Sequence, residues 1–401
     1  MLRFNQFDLR RDFELPIFIT FENTNNRIVK NKILKEFGIH GFLIKNHEKT
    51  ILKMNGYPEN IIVDESQKYK NREINWFAEP WDGLLKFNFN NLKLIKTGSS
   101  SGQIHSSTWE VFDYFISNNF CFNNNIRSAI VQIDDLTKWL LTDLSLDYDD
   151  YNFETKIDSY QDIEFNNHKF SIDIIKGFEE EISSLQKKIE ANVLVEFNFE
   201  DNLTKYETKL IIDQFRNLVQ ILTGMNIGVN KILVNQNSNW ILSNLYLPSI
   251  EERSKNFSQT SYSRLRDKFS IILQKWFSNN RIQILSANFL HGIHYNVPLD
   301  TTLIVLVSGI EIYFSNYREN NKEISARKKV EKVIESVDAS LSNFKNTQEM
   351  EKFSKLIIDN RVYRVHGTKR KNIIESEYEL KEPVKQLEKY IYDFILHNLG
   401  V

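Results

Sequence analysis

Two residues near the C-terminus have types and spacing that suit a reaction. Arg361 and His366 stand five apart in Asp359-Asn360-Arg361-Val362-Tyr363-Arg364-Val365-His366-Gly367. Cutting RNA without a metal needs a group to take the 2′-hydroxyl proton and one to protonate the leaving 5′-oxygen. It also needs a cation on the crowded phosphorane. Histidine titrates near neutral pH and can serve as acid or base. Arginine stays charged and can hold two phosphate oxygens in its fork. From Arg318 to Lys371 the chain carries 14 Lys/Arg against 8 Asp/Glu, whereas the whole chain has a net charge of −2. A basic segment on a near-neutral chain is a local cationic surface, suited to a polyanion.

The pair must be positioned by a helix. A helical pattern covers Thr347 to His366, and Gly367 is its C-terminal stop. A histidine there faces carbonyls without partners, which favour its protonated form. Five residues of helix turn about 500°, leaving Arg361 and His366 about 140° apart. An unwound helix end, or a twofold pairing of two chains, would bring an arginine and a histidine together. Glu311 lies in an apolar helix, where an ionised carboxylate needs a partner. It either pairs with a buried cation or orients the active pair. Asn360 is a second supporting candidate. Arg364, Lys369, Arg370 and Lys371 form the candidate RNA-binding patch.

Other reactive residues fall to structural readings. His291 and His294 stand three apart but lack a carboxylate or cysteine to complete a metal site, so no metal and no cofactor is expected. Cys121, between two phenylalanines, reads as a small buried side chain. Gly98-Ser99-Ser100-Ser101-Gly102 lacks the Gly-Lys-Ser/Thr ending of a phosphate loop and reads as a mobile connection. Trp76, Trp81 and Trp109 read as core or rim residues of the β-rich part rather than as a base-stacking platform.

The elements around these residues change character along the chain. Gly38–Lys45 and Ile51–Met54 read as paired strands with a turn near His47. Leu84–Asn90 and Asn91–Thr97 read as a hairpin turning at Asn90-Asn91. Thr108–Ile116, Ile126–Ile133, Lys169–Ile175 and Ala191–Phe199 alternate as strands. Asp134–Leu141 reads as a short helix capped by aspartate. Tyr206–Leu222 has a helical period, stopped by Gly224. Leu247-Pro248 marks a boundary. Beyond about Asn256 the pattern is helical over Tyr262–Phe289, Leu299–Tyr317, Ser325–Leu341, Thr347–His366 and Pro383–Leu399. The expected class is α+β: a β-rich domain over residues 1–245 with a connector helix near 206–222, then an all-α bundle over 256–401.

Composition bounds the function. With 401 residues, about two domains are expected. Scarce Gly (13) and Pro (6) exclude a collagenous or low-complexity chain, and a single cysteine excludes an internal disulfide framework. Charged residues break the apolar stretches of Met1–Thr20, and the most apolar run, Leu303–Phe314, falls short of the roughly 20 residues a bilayer span requires. The chain reads as soluble and cytoplasmic, with no membrane partner.

The C-terminal part resembles the HEPN domain, an all-helical family whose ribonuclease members use an Arg-x4–6-His motif, matched here by Arg361, His366 and the following Gly367. Ser308–Phe314 looks like the family's second helix, with Glu311 as its acidic residue. The N-terminal part resembles the ApeA-type region that accompanies HEPN in phage defence, in Gly38 and Gly41 and in the strand-to-helix stretch Ile126–Leu140. Val362 departs from the polar residue that many members carry after the arginine. The resemblance implies a homodimer with a composite Arg/His site and a metal-independent endoribonuclease. This enzyme would cut cellular RNA, tRNA included, as the toxin of an abortive-infection antiviral defence, with the N-terminal part answering a phage-derived trigger. The rival expectation is a non-catalytic HEPN-type module that binds nucleotide or RNA, or only assembles, beside a ligand-sensing β domain.

Overall fold

The computed structural model describes residues 12–21, 28–29, 32–33, 38–46, 49–56, 72–100, 103–117, 125–133, 136–141, 155–182, 187–236, 239–243, 260–294, 297–319, 321–337, 344, 347–368 and 370–401. The chain is mixed α and β, strand-rich toward the N-terminus and helical toward the C-terminus. Its elements begin β1 (Phe13–Phe21), β2 (Ile28–Val29), β3 (Lys32–Ile33), β4 (Ile39–Asn46), β5 (Lys49–Met54), β6 (Arg72–Pro80), β7 (Lys86–Ser100), β8 (Gln103–Ser117) and β9 (Ile126–Ile133). Next come α1 (Leu136–Leu141), β10 (Thr155–Phe165), β11 (His168–Ile182), β12 (Lys187–Leu203), α2 (Lys205–Thr223), β13 (Val229–Gln236) and β14 (Asn239–Ser243). The last stretch holds α3 (Tyr262–Leu265), a 3-10 turn over Arg266–Lys268, α4 (Phe269–Ser278), α5 (Asn280–His294), α6 (Leu299–Tyr313), β15 (Arg318–Glu319), β16 (Lys322–Glu323), α7 (Ala326–Glu335), α8 (Thr347–His366) and α9 (Glu377–Leu399).

These elements form two compact units that interleave in sequence. The first holds residues 1–132, 196–209 and 230–246, and the second holds 133–195, 210–229 and 247–401. A division at residue 245 would keep β10 and β11 with the β-rich half, whereas their aromatic side chains pack on helices of the second unit. Phe165 and Phe170 meet Phe277 of α4 edge-on, and Tyr160 meets Phe269.

In the first unit the ladder runs β1–β4–β5–β8–β7–β6 and returns to β1, closing an antiparallel six-stranded barrel. Alternation explains its core. Ile17, Ile19, Leu43, Leu52, Trp76, Phe87 and Trp109 point inward and are buried, with Trp76 and Trp109 in edge contact at 4.8 Å. Gly41 is obligatory for closure, because a Cβ there would lie 2.4 Å from the Lys53 carbonyl oxygen.

The expected Asn90-Asn91 turn is not a turn: β7 runs through it, paired with β8 from Lys86↔Ser117 to Ser100↔Gln103. Register shifts at Phe89/Asn91 and Asn91/Leu92 absorb the two asparagines as bulges, which carry the strand onward while bending it. Gly98–Ser100 are likewise strand rather than loop; 101–102 lie outside the described residues, as do His47, Cys121, Asp134-Asp135 and Leu247-Pro248.

In the second unit β10 and β11 pair antiparallel. The expected single helix over Tyr262–Phe289 is broken twice. Arg266–Lys268 tighten to a 3-10 turn, and Asn279 leaves helical geometry at φ −113°, ψ 83°. Asn279 then caps α5, its Oδ1 accepting from the Ile282 N–H at 3.1 Å. Pro383 sits inside α9 rather than starting it, and Gly400 ends that helix as expected. The helix from Leu299 stops at Tyr313, short of Tyr317, and Ser325 caps α7 through the Lys328 N–H. Among the described residues no helix is long and apolar enough to cross a membrane.

Candidate active site

The last turns of α8 carry the site. α8 is helical through His366, and Gly367, at φ +68°, closes it with its N–H donating to the Tyr363 carbonyl at 2.7 Å. A residue with a Cβ resists that left-handed conformation, so the glycine fixes where the helix ends. The helix does not unwind before His366, so within one chain the two side chains keep the separation of about 140° that five helical residues impose.

Arg361 reaches α6. Its Nη2 donates to Oε2 of Glu311 at 2.9 Å, with the two side chains 22% and 29% exposed. The guanidinium Nε is buried and meets no acceptor among the described residues. The arginine is thus held by one edge, with a donor unspent. His366, on the final turn, is exposed.

The flanking polar residues are committed to structure. Asn360 is fully buried. Its Nδ2 donates to the carbonyls of Leu356 (2.8 Å) and Asn372 (2.9 Å), and its Oδ1 accepts from the Ile374 N–H at 2.8 Å. Asp359, also buried, accepts from Arg370 Nη1 at 3.2 Å and Asn372 Nδ2 at 3.0 Å. Together they staple residues 370–374 back onto α8. Arg364 pairs with Asp300 of α6 and donates to the Ile374 carbonyl at 3.1 Å, leaving its side chain 6% exposed.

Of the residues singled out by type and spacing, Arg361 and Glu311 therefore meet. Asn360 and Arg364 are turned into the packing, Arg370 is tied to Asp359, and Lys371 is exposed. Lys369 lies outside the described residues. Asp359 and Asp300 escaped the sequence reading. The signal for Asp359 was its place beside Asn360, two neighbouring polar residues that the loop after Gly367 can satisfy.

His291 is exposed on α5, and the side chain of His294 lies outside the described residues. Among the described residues no three His, Cys, Asp or Glu side chains are grouped as a metal ion requires.

A second polar cluster lies between β10 and α3. Tyr262 donates to Oδ2 of Asp158 at 2.6 Å, so the hydroxyl of Tyr160, also bonded to Tyr262, must be the donor in that pair. Arg266 closes the cluster through Nε and Nη2 on the same carboxylate at 2.9–3.1 Å. Burial pushes Tyr160 up to about 12, and burial with the Asp158 bond pushes Tyr262 higher still. These hydroxyls stay protonated, which suits a buried clamp.

No family model, curated protein or solved structure matches this chain.

Proposed function

We propose that the chain is a metal-independent endoribonuclease of the HEPN type, with Arg361 and His366 as its catalytic pair. The observation that supports this reading best is the state of Arg361. Glu311 fixes one edge of the guanidinium and leaves Nε without an acceptor among the described residues, while His366 stands exposed at the end of the same helix. In that role Arg361 neutralises the phosphorane, and His366 moves the proton between the 2′-hydroxyl and the leaving oxygen. Because α8 is continuous, the working site takes Arg361 from one chain and His366 from a second copy about a twofold axis. On this reading the protein is the toxin of an abortive phage defence, and its β-rich part restrains or triggers it.

The test is expression of wild type beside Arg361→Ala and His366→Ala, with sequencing of cellular RNA ends. New ends confined to wild type support the reading; identical ends from all three remove it.

A second reading has its own observation. Glu311 already neutralises Arg361, and Asn360 and Arg364 are engaged elsewhere, as suits a HEPN-type module that binds RNA or assembles without cutting. Tight RNA binding with no new ends under phage challenge would favour it.

A further inference from the structure

The outer face of the barrel carries a row of exposed side chains. Leu43 points into the core, so its neighbour Phe42 points out, and Phe42 is 42% exposed. Residues paired across a ladder share a face. The pairings Pro16↔Phe42, Phe42↔Lys53, Lys53↔Thr108 and Thr108↔Lys96 therefore set Phe42, Lys53, Thr108 and Lys96 side by side on β4, β5, β8 and β7. At the β1 end Trp81, 65% exposed, stacks on Phe18 with centroids 5.9 Å apart and planes 26° apart. His40 meets Phe18 edge-on at 4.6 Å and Trp81 at 6.4 Å.

An indole held by a second ring yet open to water on its other side is an apolar plane kept rigid at a hydration cost. Lys53 and Lys96 are exposed and form no ion pair among the described residues. The nearby acids are otherwise engaged or off the row. Glu110 faces Lys49 at 3.8 Å, Glu79 is buried against Lys86, and Asp82 accepts from the Leu84 N–H. With strands about 4.8 Å apart, Phe42 and Lys96 are about 14 Å apart along the arc. Aromatic planes beside unpaired lysines, over that reach, complement unpaired bases on a phosphate backbone.

We propose that this face binds single-stranded nucleic acid, with bases on Trp81 and Phe42 and phosphates on Lys53 and Lys96. A purely apolar partner would leave both lysines desolvated and unpaired, and a duplex hides the base planes. Base planes and phosphates are common to RNA and DNA, so both kinds of strand bind through these four residues.

The full-length protein is titrated with labelled rU12, dT12 and a 12-base-pair duplex, following anisotropy at several salt concentrations. dT12 lacks the 2′-hydroxyl that the proposed cleavage requires, so its binding is read independently of any ribonuclease activity. Trp81→Ala and Phe42→Ala should each weaken dT12 and rU12 binding about tenfold, while Trp81→Phe, which keeps a ring, restores most of the affinity. Lys53→Gln with Lys96→Gln should flatten the log–log salt slope by about 1.4. These residues are exposed, so the variants fold; circular dichroism verifies it. Unchanged dT12 affinity in Trp81→Ala, or a duplex that binds as tightly as the single strands, would overturn the proposal.

Discussion

Nη2 of Arg361 lies 2.9 Å from Oε2 of Glu311, fifty residues earlier in the chain, while Nε of the same arginine meets no acceptor among the described residues. The contact fixes the cation without exhausting it. Glu311→Gln keeps an oxygen for Nη2, so the arginine should stay in place and cleavage should remain within a few-fold of wild type. Glu311→Ala frees the guanidinium, costs about 1.5 kcal/mol of stability, and should lower kcat more than it raises KM. Single-turnover kinetics beside urea unfolding separates the two effects.

Removal of His366 should affect function alone. Its exposure keeps the stability cost of His366→Ala within about 0.5 kcal/mol. Loss of a proton-transfer group lowers the rate by about 10²–10⁴-fold. Cleavage should survive EDTA; loss in EDTA with recovery in magnesium would contradict the proposed chemistry.

The asparagine before the arginine should behave oppositely. Asn360→Ala strips the Ile374 N–H and the Asn372 carbonyl of their partner in a fully buried position. The expected loss is about 3 kcal/mol, visible as a lower urea midpoint. An unchanged midpoint would mean that residues 370–374 are held by other contacts.

The basic patch should divide by exposure. Arg370→Gln with Lys371→Gln should flatten the salt dependence of RNA binding by at most about 1.4 in log–log slope. Arg364→Gln should leave that slope alone and lower stability instead, because Arg364 is spent on Asp300 and Ile374. A flattened slope in Arg364→Gln would return it to the RNA surface.

Alkaline pH should loosen the second unit at a defined point. The ordinary tyrosine value is 10, and in the fold burial pushes Tyr160 up to about 12. Between these values the unfolded chain gives up a proton that the folded chain keeps. The stabilisation is complete below pH 10 and is lost as pH rises through 12. Denaturant midpoints from pH 9 to 12 should fall in wild type and more gently in Tyr160→Phe.

Periodicity carried most of the fold. The pattern over Thr347–His366 matches α8 residue for residue, and β4, β5, β9, β11 and β12 lie where alternation places them. β10 escaped because a bulge between Tyr160 and Ile163, with Asp162 at φ 56°, breaks its period of two. Asn90-Asn91 misled for the opposite reason, since turn-forming residues also form bulges. At the site, type and spacing picked out Arg361 and Glu311, but the commitments of Asn360 and Arg364 depend on a loop that returns after Gly367. Trp81 was indistinguishable from Trp76 and Trp109 by composition; only barrel closure puts two inside and one out.

The interleaving of the two units bears on how the chain is made and dissected. The polypeptide changes unit at 132/133, 195/196, 209/210, 229/230 and 246/247. The barrel strands β1 and β4–β8 are all delivered by Ser117, but the unit they belong to owns all its segments only at residue 246, and the second unit, begun at residue 133, only at 401. For the same reason a gene fragment ending near residue 245 would sever the helices from strands that they cover. Dissection of sensing from killing then calls for point substitutions in an intact chain, because no single cut of the chain separates one complete unit from the other.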